Sequence, residues 1–302
     1  MNNIKSKKLI INADDFGFSP AVNSAIFRGA AAGNITAASL MVNMPFAEDA
    51  ARNIHDHYND FSLGLHFTIT SGKPVAEPAK IPLLVDSKGM FQIGFLGLIR
   101  ILKSKKREQF LQQIQIEFFA QMELMDHFVT KYRLRFDHLD SHQHIHVISG
   151  IFDLLKTLSE KRNLTLRVPR ENFGGLKRMI KLFQTSFPQG FIKRAILNRY
   201  LKPSRQKIGY FGILESGRID EYSLQEIINT IEKDKSEFGL YEINIHPSDF
   251  SVAQNDESLC CSANDYDFHH SHNRTKEFQT LQDTKFQDVI KNHNIKLTGF
   301  SN

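Results

Sequence analysis

The sequence predicts an α/β fold: an irregular (β/α) barrel of seven or eight mostly parallel strands, similar to a TIM barrel. Three observations predict it. Short apolar runs alternate with helix-sized stretches along most of the 302 residues. The first of them, Leu9 to Ala13, is a continuous apolar run, as expected of a strand covered on both faces. Carboxylates, imidazoles and a guanidinium recur where the runs end, which is where a parallel barrel collects its chemistry. A doubly wound open sheet is the structural alternative. No linker, low-complexity tract or internal repeat divides the chain, so one catalytic domain over 1–302 is expected, with insertions at about 70–107 and 173–207.

The elements follow in order. Leu9 to Ala13 is the first strand, and Ser19-Pro20 then supplies an N-cap and a first-turn proline for a helix that stops at Gly33. Thr36 to Asn43 is a strand, Phe46 to Ile54 a helix and Ser62 to Thr68 a strand, so the start of the chain reads βαβαβ. Residues 70 to 105 break the rhythm with Pro74, Pro78 and Pro82, then the apolar run Phe91 to Leu102, and would form a lid or substrate wall. Phe110, Ile114, Phe118, Met122, Met125 and Val129 mark the core-facing stripe of a long helix. Phe136 to Asp140 is a strand, Ile148 to Leu158 a helix and Leu164 to Val168 a strand. The region 173 to 202 reads as helical, broken at Pro188-Gln189-Gly190. Ile208 to Leu214, Leu224 to Glu232, Tyr241 to Ile245, Lys276 to Asn292 and Ile295 to Thr298 complete the alternation.

Composition bounds what such a chain does. With 41% hydrophobic and 24% charged residues it can bury a full core and is not disordered. The two cysteines, Cys260 and Cys261, are neighbours and staple nothing, which suggests a reducing compartment. Lys5, Lys7 and Lys8 precede an apolar run too short for a signal peptide, and no stretch is long enough to span a bilayer. A cytoplasmic location is expected. The formal charge of +5 is compatible with acidic partners or surfaces, but no nucleic-acid partner is expected, and a homo-oligomer stays open.

The chemistry lies at the strand ends. Asp14 and Asp15 close the first strand between Ile10-Ile11 and Phe16, flanks that argue against an exposed turn. His66 closes the third; alone, between Leu65 and Phe67, it would read as a core histidine, and the two aspartates make it a ligand candidate. The cluster His138, Asp140, His142, His144 and His146 holds more imidazoles than one ion can take, so at least two of them belong to hydrogen-bonding roles. Arg167 closes the fifth strand and His246 follows Tyr241 to Ile245. Two imidazoles and a carboxylate with open positions suit one divalent ion, zinc by ligand type, with cobalt, manganese, iron or magnesium as alternatives. Such an ion lowers the pKa of water and polarises a carbonyl, while the second acid serves as base and another histidine as acid. The inventory reads as metal-assisted hydrolysis. A barrel sugar isomerase or phosphoesterase is the competing enzyme class, and a non-enzymatic protein with a structural ion is the competing binding class.

Asn12-Ala13-Asp14-Asp15-Phe16-Gly17, Gly64-Leu65-His66-Phe67, the run His138 to His146 and His246-Pro247 together resemble the YdjC/ChbG-like carbohydrate deacetylases, in the family order and over residues 9 to 250. The resemblance implies a metal-dependent N-deacetylase that releases acetate from an N-acetylated amino sugar or oligosaccharide, soluble or lipid-linked. It implies Asp15, His66 and His142 as metal ligands, Asp14 as the base and His246 as the acid. The more distant NodB-type deacetylases suggest that Arg167 or Arg170 orients the base. His138, Asp140, His144 and His146 remain supporting or substrate-contacting candidates.

Two segments depart from the short members of that family. Residues 176 to 207 carry nine Lys and Arg and no acid, interleaved with Ile180, Phe183, Phe187, Phe191, Ile192, Ile196 and Leu197. They read as a solvated helical pair or as a surface for anionic lipid. Residues 251 to 274, with Cys260, Cys261, His269, His270 and His272, read as a polar loop near the mouth.

Overall fold

Strand β1 (Lys7–Phe16) is buried without a break from Leu9 to Phe16, as its continuous apolar run requires of a strand covered on both faces. Around it a computed structural model describes residues 7–57, 61–171, 173–174, 176–185, 188–201, 208–236, 238–252 and 267–300. The other strands are β2 (Ala37–Leu40), β3 (Ser62–Phe67), β4 (Phe136–Ser141), β5 (Thr165–Leu166), β6 (Ile208–Phe211), β7 (Leu240–Ile245) and β8 (Ile295–Leu297). Seven form a curled sheet in the order β5-β4-β3-β2-β1-β7-β6, and every strand pairing in it is parallel. Glu171, just past β5, bridges in parallel to Tyr210 of β6, so the two edges of the curl meet at that point. The eighth strand pairs with β1 only over Lys7–Leu9, below the place where β2 joins at Asn12.

The helices are α1 (Pro20–Ala31), α2 (Ala47–His57), α3 (Phe95–Leu102), α4 (Arg107–Tyr132), α5 (Ile151–Arg162), α6 (Leu176–Thr185), α7 (Gln189–Tyr200), α8 (Glu221–Lys233), α9 (His272–Gln282) and α10 (Thr284–Asn292). Ser19 caps α1 by accepting from the Val22 N–H, and Pro20 opens it. On α4, Phe110, Ile114, Phe118, Met122 and Met125 are buried against the sheet side, each contributing about 1.5–3 kcal/mol of apolar burial.

The structure departs from the sequence expectation at particular places. Residues 276–292 are two helices, because Asp283 turns extended and its carboxylate caps α10 through the Lys285 N–H. The fifth strand keeps two residues only. After β4 the chain enters a tight turn, His142–Val147, with Gln143 and His144 at φ 55 and 57, and α5 starts at Ile151. The 70–107 insertion is pinned to α4: Glu117 accepts the N–H groups of Val75 and Ala76, and Gln113 accepts that of Leu83. The basic segment is not merely a solvated pair. Arg178 of α6 is fully buried between Glu171 and Glu215, Lys181 bonds Asp220, and Lys193 of α7 turns inward. Lys202, Arg205, Lys207, Cys260 and Cys261 lie outside the described residues.

Candidate active site

Parallel register brings the polar strand ends to one mouth. His66 of β3 stands beside Asp140 of β4, and Asn12 of β1 beside Asn244 of β7. Adjacent residues of a regular strand face opposite ways, so Asp14 and Asp15 need a device to act together. It is a register shift in β1 between Ala13 and Phe16, with Asp15 at φ 63. A left-handed non-glycine residue costs on the order of 1–3 kcal/mol, and aspartate tolerates it better than most. Gly17, at φ 87, completes the bend where a Cβ would stand 2.8 Å from the Ala47 backbone.

Asp14 is held on four sides. Arg167 Nη1 and Nη2 donate to its two oxygens at 2.9 Å each, Asn12 Nδ2 donates to Oδ1 at 2.9 Å, and Asn244 Nδ2 to Oδ2 at 2.9 Å. The same guanidinium reaches Asp140 at 2.8 Å and Glu242 at 2.7 Å. Burial pushes the Asp14 carboxyl up, but Arg167, then His66 and His246, outweigh it and hold it far below the usual carboxylate range. Asp140 is likewise lowered, against burial, by Arg167 and His66. Glu242 is pushed up to about 7 by burial, which Arg167 only partly offsets.

Asp15, His66 and His142 are buried and offer one ligand atom each within 4.8 Å of one another. His66 Nε2 lies 3.6 Å and His142 Nδ1 3.1 Å from Asp15 Oδ1. Bonds of about 2.1 Å to a shared ion imply donor separations of about 3–3.5 Å, so this trio fits a divalent cation. His66 Nδ1–H donates to Asp140 Oδ1 at 2.6 Å, a tautomer assigned because the ionised carboxylate can only accept, and this leaves Nε2 for the ion. A second grouping, Asp14, His66 and Asp140, is also close enough. It fits less well, because Arg167 and the asparagines occupy Asp14 while Ser39, His66 and Arg167 occupy Asp140.

The remaining sequence candidates separate clearly. His246 lines the pocket with Nε2 3.8 Å from Asp14 Oδ2, and burial lowers it to about 3, so its imidazole is neutral at rest. His144 also lines the pocket, edge-on to Tyr210, and burial keeps it neutral. His146 faces away from the ligand trio: its Nε2–H donates to the Arg167 carbonyl at 3.0 Å and its Nδ1 accepts from Ser141 Oγ at 2.6 Å, fixing the backbone of the arginine. His138 stacks on Phe300 and touches Ser39 Oγ at 3.2 Å, and that hydroxyl donates to Asp140. Gly64 faces that ring, where a Cβ would meet it at 2.2 Å. Arg170 is exposed between the buried Pro169 and Glu171, and it is not at the site.

Three contributors, Arg274, His269 and Lys193, escaped the sequence reading, whereas Phe95 belongs to the Phe91 to Leu102 run expected as a substrate wall. Arg274 of α9 sits 3.3 Å from Asp15 Oδ2, with its Nε–H donating to the His246 carbonyl at 2.8 Å. His269, expected on a polar loop, stacks on Phe18 at 3.4 Å and approaches Asp15 Oδ2 at 3.9 Å. Burial raises the Asp15 carboxyl, but His269, His142 and Arg274 together hold it well below normal. Lys193 and Phe95 line the same pocket from the two insertions. A histidine-rich stretch and an acid-free stretch were the visible signals for His269 and Lys193. Arg274 had none.

A parallel barrel with a buried aspartate–histidine–histidine cluster and an arginine-paired second aspartate defines a class of barrel enzyme sites. The chain belongs to the YdjC-like protein family, whose model matches residues 8–292. It is 28% identical over 294 residues to a carbohydrate deacetylase of Brevibacillus brevis, covering 97% of this chain and 98% of that one. It is 36% identical over 161 residues to a carbohydrate deacetylase of Geobacillus stearothermophilus, a match spanning 53% of this chain and 59% of the relative. With a chitooligosaccharide deacetylase of Proteus mirabilis it shares 32% over 162 residues, 54% and 59% of the two chains. The crystal structure of a candidate cellobiose-phosphate cleavage protein from Enterococcus faecalis V583 matches at TM-score 0.64 and 21% identity over 98% of both chains, which establishes the shared fold.

Proposed function

We propose that this chain hydrolyses the acetamide of N-acetylated amino sugars, chito-oligosaccharides among them, with one divalent ion held by Asp15, His66 and His142. The observation that carries the reading is the juxtaposition of that trio with the arginine-paired Asp14 and the neutral His246 at one pocket. The ion would polarise the acetamide carbonyl and lower the pKa of water, and zinc suits the donor set best.

The chain's own groups then divide the proton work. Asp14, ionised and fixed by Arg167, Asn12 and Asn244, takes the proton of the attacking water. Its tight pairing makes it a weak base, so the proton passes on to His246 Nε2, which faces it and is neutral at rest. As the carbon–nitrogen bond breaks, the imidazolium returns that proton to the departing amine, and acetate and the free amino sugar leave. Lys193, Phe95 and Phe268 wall the sugar.

Lipid-borne sugars fall in the same class, because the acetamide is the group the pocket reads. The neighbouring cysteines favour a reducing, cytoplasmic setting, and no helix among the described residues is long and apolar enough to cross a membrane. A screen for acetate release across N-acetylated sugars, with protein loaded with zinc, cobalt or manganese, tests the reading. Metal-dependent acetate release from chito-oligosaccharides is expected. Absence of release from every acetylated sugar under every metal would overturn it.

A further inference from the structure

Among the described residues, five of the eight exposed large apolar side chains lie on α6, α7 and the start of α3; the other three are Ile116 and Phe119 on α4 and Tyr222 on α8. Leu176, Ile180 and Phe183 follow helical spacing along α6 and are 66%, 51% and 52% exposed; Ile192 on α7 and Leu96 on α3 are 56% and 69% exposed. Two of them adjoin residues of the site along the chain. Ile192 precedes Lys193 and Leu96 follows Phe95, and both of those neighbours line the pocket. The Phe183 ring packs on that of Phe191, 4.7 Å between centroids, which ties α6 to the same rim. The helices beneath are firmly seated: Arg178 is buried between two glutamates, Arg194 Nε donates to the Glu171 carbonyl at 2.9 Å, and Leu197 is fully buried. An apolar face on well-anchored helices at a pocket mouth calls for an occupant.

Charge selects that occupant. Residues 176–207 contain no acid, and Lys177 and Arg199 are exposed on the same two helices, with Arg100 and Lys103 on or next to α3. A second copy of the chain docking by this face about a two-fold axis would set like charges against each other. An anionic bilayer satisfies both features at once, taking the apolar side chains at the headgroup boundary and the cations among lipid phosphates. We infer that the rim built by α6, α7 and the start of α3 seats on an anionic lipid surface, so that the pocket receives its acetylated sugar from a lipid-borne glycan. The choice of substrate class rests on the acetamide hydrolysis proposed above; the lipid contact itself does not.

Co-sedimentation with vesicles of phosphatidylcholine, with and without phosphatidylserine, tests the contact on the full chain. Binding to the anionic vesicles that weakens as salt rises is expected. Lys177→Gln with Arg199→Gln should weaken it by roughly thirtyfold, about fivefold for each charge. Leu176→Gln, Ile180→Gln and Ile192→Gln together should abolish it. Acetate release from a soluble chito-oligosaccharide, measured on the same variants, reports separately on the chemistry and should stay at the unmodified level. Lack of binding at low salt overturns the inference, as does binding that ignores both sets of substitutions. A dimer of the unmodified chain that dissociates on the Leu176, Ile180 and Ile192 changes also overturns it, since a second copy then covers the face.

Discussion

Removing the Arg167 charge should unfasten the site and reverse its response to acid. Its guanidinium is fully buried and serves Asp14, Asp140 and Glu242, all within 2.7–2.9 Å. In Arg167→Met the side-chain volume is roughly kept while three buried carboxyl groups lose their counter-charge, so about 3–5 kcal/mol of stability should go at neutral pH. For a chain of this size that is a fall of roughly 5–8 °C in Tm. The sign of the pH dependence follows from the shifts. Asp14 and Asp140 are depressed in the native protein, so the stability they contribute is present above their ordinary value of 3.8 and is lost as pH falls through their lower folded values. Without the arginine, burial dominates, these groups hold protons when folded, and stability increases as pH falls toward the ordinary value. The gap between the two proteins is therefore widest near neutral pH and narrows in mild acid. Denaturation followed by circular dichroism from pH 7 to pH 4, on metal-free protein, measures it. A gap that is small, or constant with pH, would refute the argument that Arg167 holds ionised carboxylates.

Other outcomes follow from the same geometry. Asp14→Asn should retain the ion and lower kcat by roughly a hundredfold or more, as measured by acetate release beside metal analysis. Arg274→Met should weaken metal affinity by about 10–100-fold in a chelator competition, because the guanidinium at 3.3 Å steadies Asp15, and Arg274→Lys should restore part of it. Gly64→Ala drives a methyl into the His138 ring and should cost about 1–3 kcal/mol in chemical denaturation, with no direct loss of a catalytic group.

Much of this arrangement was legible in the sequence. The first strand announced itself because a strand covered on both faces is largely apolar, as Leu9 to Ala13 is. The ends of β1, β3, β4 and β7 showed their polar residues in order, and parallel register did the rest. Less legible were features that depend on tertiary placement. The two-residue β5 is held by its neighbour, and the break at Asp283 turns on a single capping carboxylate. Nothing in spacing could show that His146 steadies the Arg167 backbone while His144 faces the pocket, since that division comes from the left-handed turn at Gln143 and His144. Lys193 looked like one more surface cation because charge runs are usually solvated, and only the seating of α7 turns it inward. Arg274, with ordinary flanks on α9, had no sequence signal at all.

Metal analysis of single-alanine variants tests the central claim most directly. The unmodified chain should bind one divalent ion tightly, and Asp15→Ala, His66→Ala and His142→Ala should each lose it while keeping a cooperative unfolding transition, because the apolar core lies apart from the trio. His144→Ala and His146→Ala should keep the ion. Full occupancy in His142→Ala, or loss in His144→Ala alone, would contradict the assignment of the site to Asp15, His66 and His142.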